Sequence, residues 1–148
     1  MKKLIKKISF SENTPIRTLM KKINNTINFT DAKAFAIINN KKGECVGTLT
    51  DGDLRRYLIK NSIKDKVSKV MSKEFYYVPD YYSKHRTLKE FDMLSNLTNF
   101  RVRTLPVLNK YNKAIDIINY SEFFQKKKNL STLEKFEKKK ILIKIPGR

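Results

Sequence analysis

Apolar and polar positions along the first sixty residues switch between two periods, and each switch predicts an element. Ile8-Ser9-Phe10 reads as a short strand, and Ser11 to Thr14 as a polar turn that places Pro15 at the first position of a helix. Ile16, Leu19, Ile23 and Ile27 then recur at helical spacing. After a polar break at 28–33, Ala34-Phe35-Ala36-Ile37-Ile38 is a continuous apolar strand ending in the turn Asn39-Asn40-Lys41-Lys42-Gly43. Cys45-Val46-Gly47-Thr48-Leu49 returns as the second strand of a hairpin, and a helix from Asp51 to about Lys60 closes the unit. The order is strand, helix, strand, strand, helix.

The same order returns at a constant shift. Arg17-Thr18-Leu19 recurs as Arg86-Thr87-Leu88, a displacement of 69 positions, and that displacement also sets Ile38 on Val107, Val46 on Ile115, Leu49 on Ile118 and Leu54 on Phe123. It predicts Phe75-Tyr76-Tyr77-Val78 as the first strand of a second unit, a helix from Ser83 to about Leu97, a hairpin of strands 102–108 and 114–118, and a last helix from Ser121 to Lys127. Lys60 to Met71 connects the units. Each is too small to bury both faces of its own sheet, so the pair is expected to pack about an approximate two-fold axis and to leave clefts at the interface. The predicted class is α/β (α+β), with repeats at 1–62 and 63–127 and a tail at 128–148.

Composition changes this picture little. The 148 residues carry a formal charge of +19, which at face value suggests an anionic partner such as nucleic acid. The excess is mostly lysine in a chain also rich in Asn and Ile, the pattern of AT-rich coding, and the charge is discounted accordingly. The single cysteine, Cys45, cannot form an internal disulfide and reads as filler in an apolar strand, which makes a reducing, cytoplasmic setting the default. The charged start Met1-Lys2-Lys3 resembles that of a signal peptide, but Lys6, Lys7 and Ser9 break the apolar run that should follow. No run approaches membrane-spanning length, so no membrane partner is expected.

The chemistry concentrates at the first unit's strand-to-helix corner. Thr50 ends the strand and Asp53 follows three residues later, the spacing of a helix-capping pair. The same two side chains can also point into the space above the strand's carboxyl end, where a carboxylate takes the paired hydroxyls of a diol and a helix start favours phosphate. Arg56 shares the Asp53 face, and Arg103 stands beside the second hairpin; each is a phosphate candidate or a solvated surface arginine. In the second unit the shift places Asp116 at the position of Gly47, Asn119 at that of Thr50 and Glu122 at that of Asp53, so one good site is expected rather than two.

The repeated unit, with Gly47-x-x-Thr50-x-x-Asp53 closing its first copy, Val70-Met71-Ser72 before the second and Leu105-Pro106-Val107 in its hairpin, resembles the CBS domain pair, or Bateman module, over residues 5–127. The run at 50–56 is similar to the version attached to sugar-phosphate isomerases and sugar nucleotidyltransferases. The resemblance implies a non-catalytic, dimeric regulatory module with an adenine nucleotide (AMP, ADP or ATP) as ligand and a sugar-metabolising catalytic domain as partner. By position, Asp53 would take the ribose hydroxyls and Thr50 would contact phosphate.

Past Phe124 a lysine-rich stretch leads to a helix begun by Ser131 and Glu134 at capping-box spacing, then to a strand at 141–145. Ile145-Pro146-Gly147-Arg148 resembles the opening of sugar kinases of the GHMP class, whose glycine-rich phosphate motif is missing here; the strand could equally extend this protein's own sheet. His85 has no companion at metal-ligand spacing. The pairs Tyr76-Tyr77 and Tyr81-Tyr82 near Lys84 and Arg86 could stack on nucleic acid, though packing is the commoner use. A basic nucleic-acid-binding protein is the rival reading.

Overall fold

The computed structural model describes residues 2–23 and 35–121, with side chains from Ile5 onward. Helix α1 (Lys2–Ile8) leads into β1 (Ser9–Ser11), α2 (Ile16–Ile23), β2 (Phe35–Asn39), β3 (Cys45–Thr50) and α3 (Asp51–Leu58); after a short 3-10 turn at Val67–Lys69 come β4 (Val78–Pro79), α4 (Lys84–Leu97), β5 (Thr104–Leu108) and β6 (Ala114–Asn119). The strands form two three-stranded sheets, β1-β2-β3 and β4-β5-β6, each with its first pair parallel and its second antiparallel.

The hairpins are copies of each other. Phe35 faces Thr50 where Thr104 faces Asn119, Ile38 faces Gly47 where Val107 faces Asp116, and both hairpins bulge at the same point, all at the displacement of 69. Even the turns repeat: Asn40 Oδ1 accepts from the N–H groups of Lys42 and Glu44, as Asn109 Oδ1 does from Tyr111 and Lys113, each bond at 2.9–3.0 Å. Gly43 and Asn112 occupy the left-handed position that each turn requires (φ 81° and 62°), which glycine and asparagine tolerate best.

Upstream of the hairpins the displacement falls to 68. Glu12 N–H bonds Asn39 O where Asp80 N–H bonds Leu108 O, and Leu19 N–H bonds Pro15 O where Thr87 N–H bonds Ser83 O. Leu19 is therefore equivalent to Thr87, both buried, and the Arg-Thr-Leu match lies one residue out of structural register. The strand expected at 75–78 is also shorter, only Val78–Pro79, because the chain before it is pinned to the first sheet: Thr48 and Ser72 exchange backbone hydrogen bonds of 3.1 and 2.8 Å. The helix expected from Ser121 opens at Tyr120, and its remainder, Ile27 and the tail at 128–148 lie outside the described residues.

Alternation along β2 shows how the layers stack. Ala36 and Ile38 join the core under α2 and α3 with Ile16, Leu19, Leu49 and Leu54, whereas Phe35 and Ile37 join Phe75, Leu108 and Ile117 in a core between the two sheets. The amino-terminal lysines belong to this second core's scaffold. Their charge resembles a signal-peptide start that Lys6, Lys7 and Ser9 interrupt, and the sequence predicts no helix there; Ile5 and Ile8 nevertheless sit on one face of α1, and Ile8, expected in the first strand, ends that helix and is fully buried between the sheets. Helix α1 lies against β6, as the connection at 71–75 lies against β3. Each repeat is thus crossed by the segment that introduces the other, the reciprocity that a two-fold arrangement requires.

Gly47 is the contact point of one crossing. A Cβ there would stand 2.6 Å from Met71 Sδ and 3.1 Å from Met71 Cβ. Gly47→Val is therefore expected to destabilise the fold by about 1–3 kcal/mol, read as a lower urea midpoint. Adding Met71→Ala should recover part of the loss; strictly additive effects would show that the crossing is not the cause.

Candidate functional site

Helix α3 begins where β3 ends because Thr50 caps it. Asp53 N–H donates to Thr50 Oγ1 (3.4 Å), and the Asp53 carboxylate reaches back to accept from Thr50 N–H through Oδ2 at 3.0 Å, so two amides at the helix start are satisfied reciprocally. Thr50 Oγ1 also donates to Oδ2, at 3.0 Å. The capping use of this pair is thus realised. It does not remove the pair from solvent: the Asp53 side chain keeps 21% exposure, and its other oxygen, Oδ1, accepts from Arg56 Nη2 at 2.8 Å.

This corner opens onto a cleft of about 260 Å3 between the repeats. The first repeat supplies Phe35, Thr48, Thr50, Asp53 and Arg56. The connection supplies Ser72, Glu74, Phe75 and Tyr76, and the second repeat contributes residues 101–106 from the approach to β5 and from its first turns. Four of the six residues singled out from the sequence, Thr50, Asp53, Arg56 and Arg103, are brought together here. Asn119 is not among them. It is buried in β6 and accepts from Thr104 Oγ1 at 2.9 Å, while Glu122 lies outside the described residues.

Sequence reading missed Arg101, Ser72, Glu74 and the aromatic wall. The alternation Arg101-x-Arg103 was the available signal, since residues two apart on an extended segment share a side. Tyr76 packs against the second repeat's core, as expected of it, and its half-buried ring also lines the cleft, while its neighbour Phe75 is buried between the sheets. Three arginines and two carboxylates line the opening, Arg56 beside Asp53 on α3 and Arg101 and Arg103 from the other repeat, and no carboxylate among the described residues ion-pairs with Arg101 or Arg103. The cleft therefore combines an acceptor pair for hydroxyls, cations at the rim, and flat apolar surface, the requirements of a phosphorylated small molecule bearing a ring.

A larger open groove of about 840 Å3 lies between the hairpin turns, lined by Asn40, Glu44, Cys45, Lys73, Tyr77 and Asn112 among others. It shares Glu74 and Phe75 with the cleft around Asp53 but is lined by none of Thr50, Asp53, Arg56, Arg101 and Arg103, and size alone does not make it the site. Among the described residues no group of three or more His, Cys, Asp or Glu side chains could hold a metal ion, and no helix is long and apolar enough to cross a membrane.

The family model for the CBS domain matches residues 2–60. Solved structures similar to the chain include the cytosolic domain of the Mg2+ channel MgtE in complex with ATP, at 16% identity and a TM-score of 0.63 over 80% of this chain and 44% of that one. A CBS domain protein from Pyrobaculum aerophilum complexed with AMP is similar at 13% identity and a TM-score of 0.63 over 86% and 90%. A CBS domain pair in complex with 5'-methylthioadenosine and S-adenosyl-L-methionine is similar at 16% identity and a TM-score of 0.60 over 83% and 89%. The chain spans less than half, 44%, of the MgtE chain. No curated protein sequence matches it. At such identities the likeness establishes the fold, a pair of CBS-like repeats with mixed α/β architecture.

Cys45 is a core residue. Burial pushes its thiol up to about 12, against a smaller opposing effect of the Gly47 backbone. Because the folded value exceeds the ordinary one of 9.0, the stability linked to this group is intact below pH 9 and is lost as pH climbs toward 12. Tyr57, raised chiefly by donating to Asp65, acts in the same direction. The thiol should resist a disulfide reagent at pH 8 until the chain is unfolded, and Cys45→Ala should flatten part of the alkaline fall in urea midpoint. Rapid labelling of the native protein would contradict this placement.

Proposed function

We propose that the chain is a regulatory module that binds an adenine nucleotide in the cleft between its two repeats and performs no chemistry of its own. The observation that carries this reading is the facing of Asp53 and Thr50, at the start of α3, towards Arg101 and Arg103 of the other repeat across one opening. The adenine-bearing ligands named for similar structures support it. In this reading Asp53 accepts from the ribose hydroxyls, phosphate lies by the α3 start with Thr50, Arg56 and Arg103, and the base meets the wall formed by Phe35, Tyr76 and Pro106.

A single site is the consistent arrangement. The second repeat's counterpart of Thr50 is Asn119, already engaged by Thr104, and its counterpart of Gly47 is Asp116, whose Oδ1 is held by Ile117 N–H at 2.7 Å. Glu122 would be the acceptor in a second cleft. A ligand touching both repeats favours the closed arrangement of the pair by its difference in affinity between states, and that difference is the signal available to a partner. We assign as partner a sugar-nucleotide or sugar-phosphate enzyme, on the similarity of the run at 50–56 to modules attached to such enzymes, and as assembly a homodimer in the cytoplasm.

Thermal shift with AMP, ADP and ATP tests the reading. At ligand about a hundredfold above Kd the midpoint should rise by about 5 °C or more. Asp53→Ala should lose the shift and also start from a lower midpoint because it removes a cap; Arg103→Ala should weaken the shift from an unchanged baseline. If no nucleotide moves the wild type, and RNA or DNA binds it with steep salt dependence, the rival reading prevails.

A further inference from the structure

The ion pair beside the proposed ribose site has a consequence for which ligands the cleft accepts. A carboxylate offers about four lone-pair positions. In Asp53 two are used on Oδ2 by the N–H and hydroxyl of Thr50, and one on Oδ1 by Arg56. A vicinal diol brings two donors to the single position that remains. One existing bond must yield, and the three are not equally easy to break. The Thr50 bonds hold the start of α3. The Arg56 bond joins an i,i+3 pair whose cation side chain is 72% exposed, the kind of contact that contributes little to stability.

Once released, Arg56 has a defined place to go. Its guanidinium lies over the first turn of α3: Nη1 is 3.2 Å from where a Cβ on Gly52 would stand, and that same position is 3.8 Å from Thr50 Oγ1. The fork therefore already hovers at the helix end that favours anions. We infer that Arg56 makes the cleft select phosphate-bearing nucleotides over bare nucleosides, by trading its bond to Asp53 for one to the ligand's phosphate when the ribose takes that carboxylate. A nucleoside forces the same release and gives the guanidinium nothing in return. The inference rests on the adenine-nucleotide reading above and adds a specificity-determining residue to it.

The test compares adenosine with AMP by calorimetric titration of the full chain. The wild type should prefer AMP, and Arg56→Gln should weaken AMP by about tenfold while leaving adenosine unchanged or tighter, so that the preference collapses. Arg55→Gln serves as control, because Arg55 pairs with Asp51 on the same helix and does not line the cleft; it should behave as wild type. Arg56→Lys should keep the charge without the fork and fall between. Equal loss of both ligands in Arg56→Gln, or an unchanged preference, overturns the exchange while leaving the nucleotide reading intact. Failure of the wild type to bind either ligand overturns both. A urea midpoint for Arg56→Gln close to that of the wild type excludes a folding defect as the cause.

Discussion

Burial of the inner faces of two small sheets against each other is the constraint from which the remaining features follow. A three-stranded sheet flanked by helices on one side covers only half of its apolar residues. Phe35 and Ile37 of one sheet and Leu108 and Ile117 of the other are covered because each sheet supplies the other's missing layer, with Ile8 and Phe75 from the crossing segments filling the gap. The core and the shape of the cleft are thus set at one interface. The seam that excludes water from the core widens at its edge into the cleft that carries Asp53.

That origin explains why the site is built from such ordinary parts. Thr50 and Asp53 are where they are because a helix must start after β3, and the cap that starts it happens to face the second repeat. The functional and the structural interpretations of this pair, which look like competitors on spacing alone, describe different lone pairs of the same carboxylate. Oδ2 serves the fold, and Oδ1 accepts from an exposed arginine.

Much of the architecture was legible in the sequence, since the hairpins carry strong period-two and turn signals at a fixed shift. Asn40 and Asn109 with Gly43 and Asn112 repeat the same turn chemistry bond for bond. Legibility failed where local identity and structural equivalence part company. Arg17-Thr18-Leu19 and Arg86-Thr87-Leu88 share letters but sit one residue out of register, because the hydrogen bonds of Leu19 match those of Thr87. Helix α1 was obscured by its lysines, whose charge overshadowed the spacing of Ile5 and Ile8. Arg101 was missed because its value lies in facing a corner about fifty residues away in the chain's other half, which no local pattern reports.

The reciprocal crossing of the repeats also bears on how such a chain can fail. The segment at 71–75 closes the open edge of β3, and α1 lies against β6. A half released from its own partner keeps an unpaired strand shaped to receive the same segment from any other copy. Loosening the connection between the halves would therefore promote exchange of arms between molecules, in which every native contact is preserved while the chain that supplies it changes.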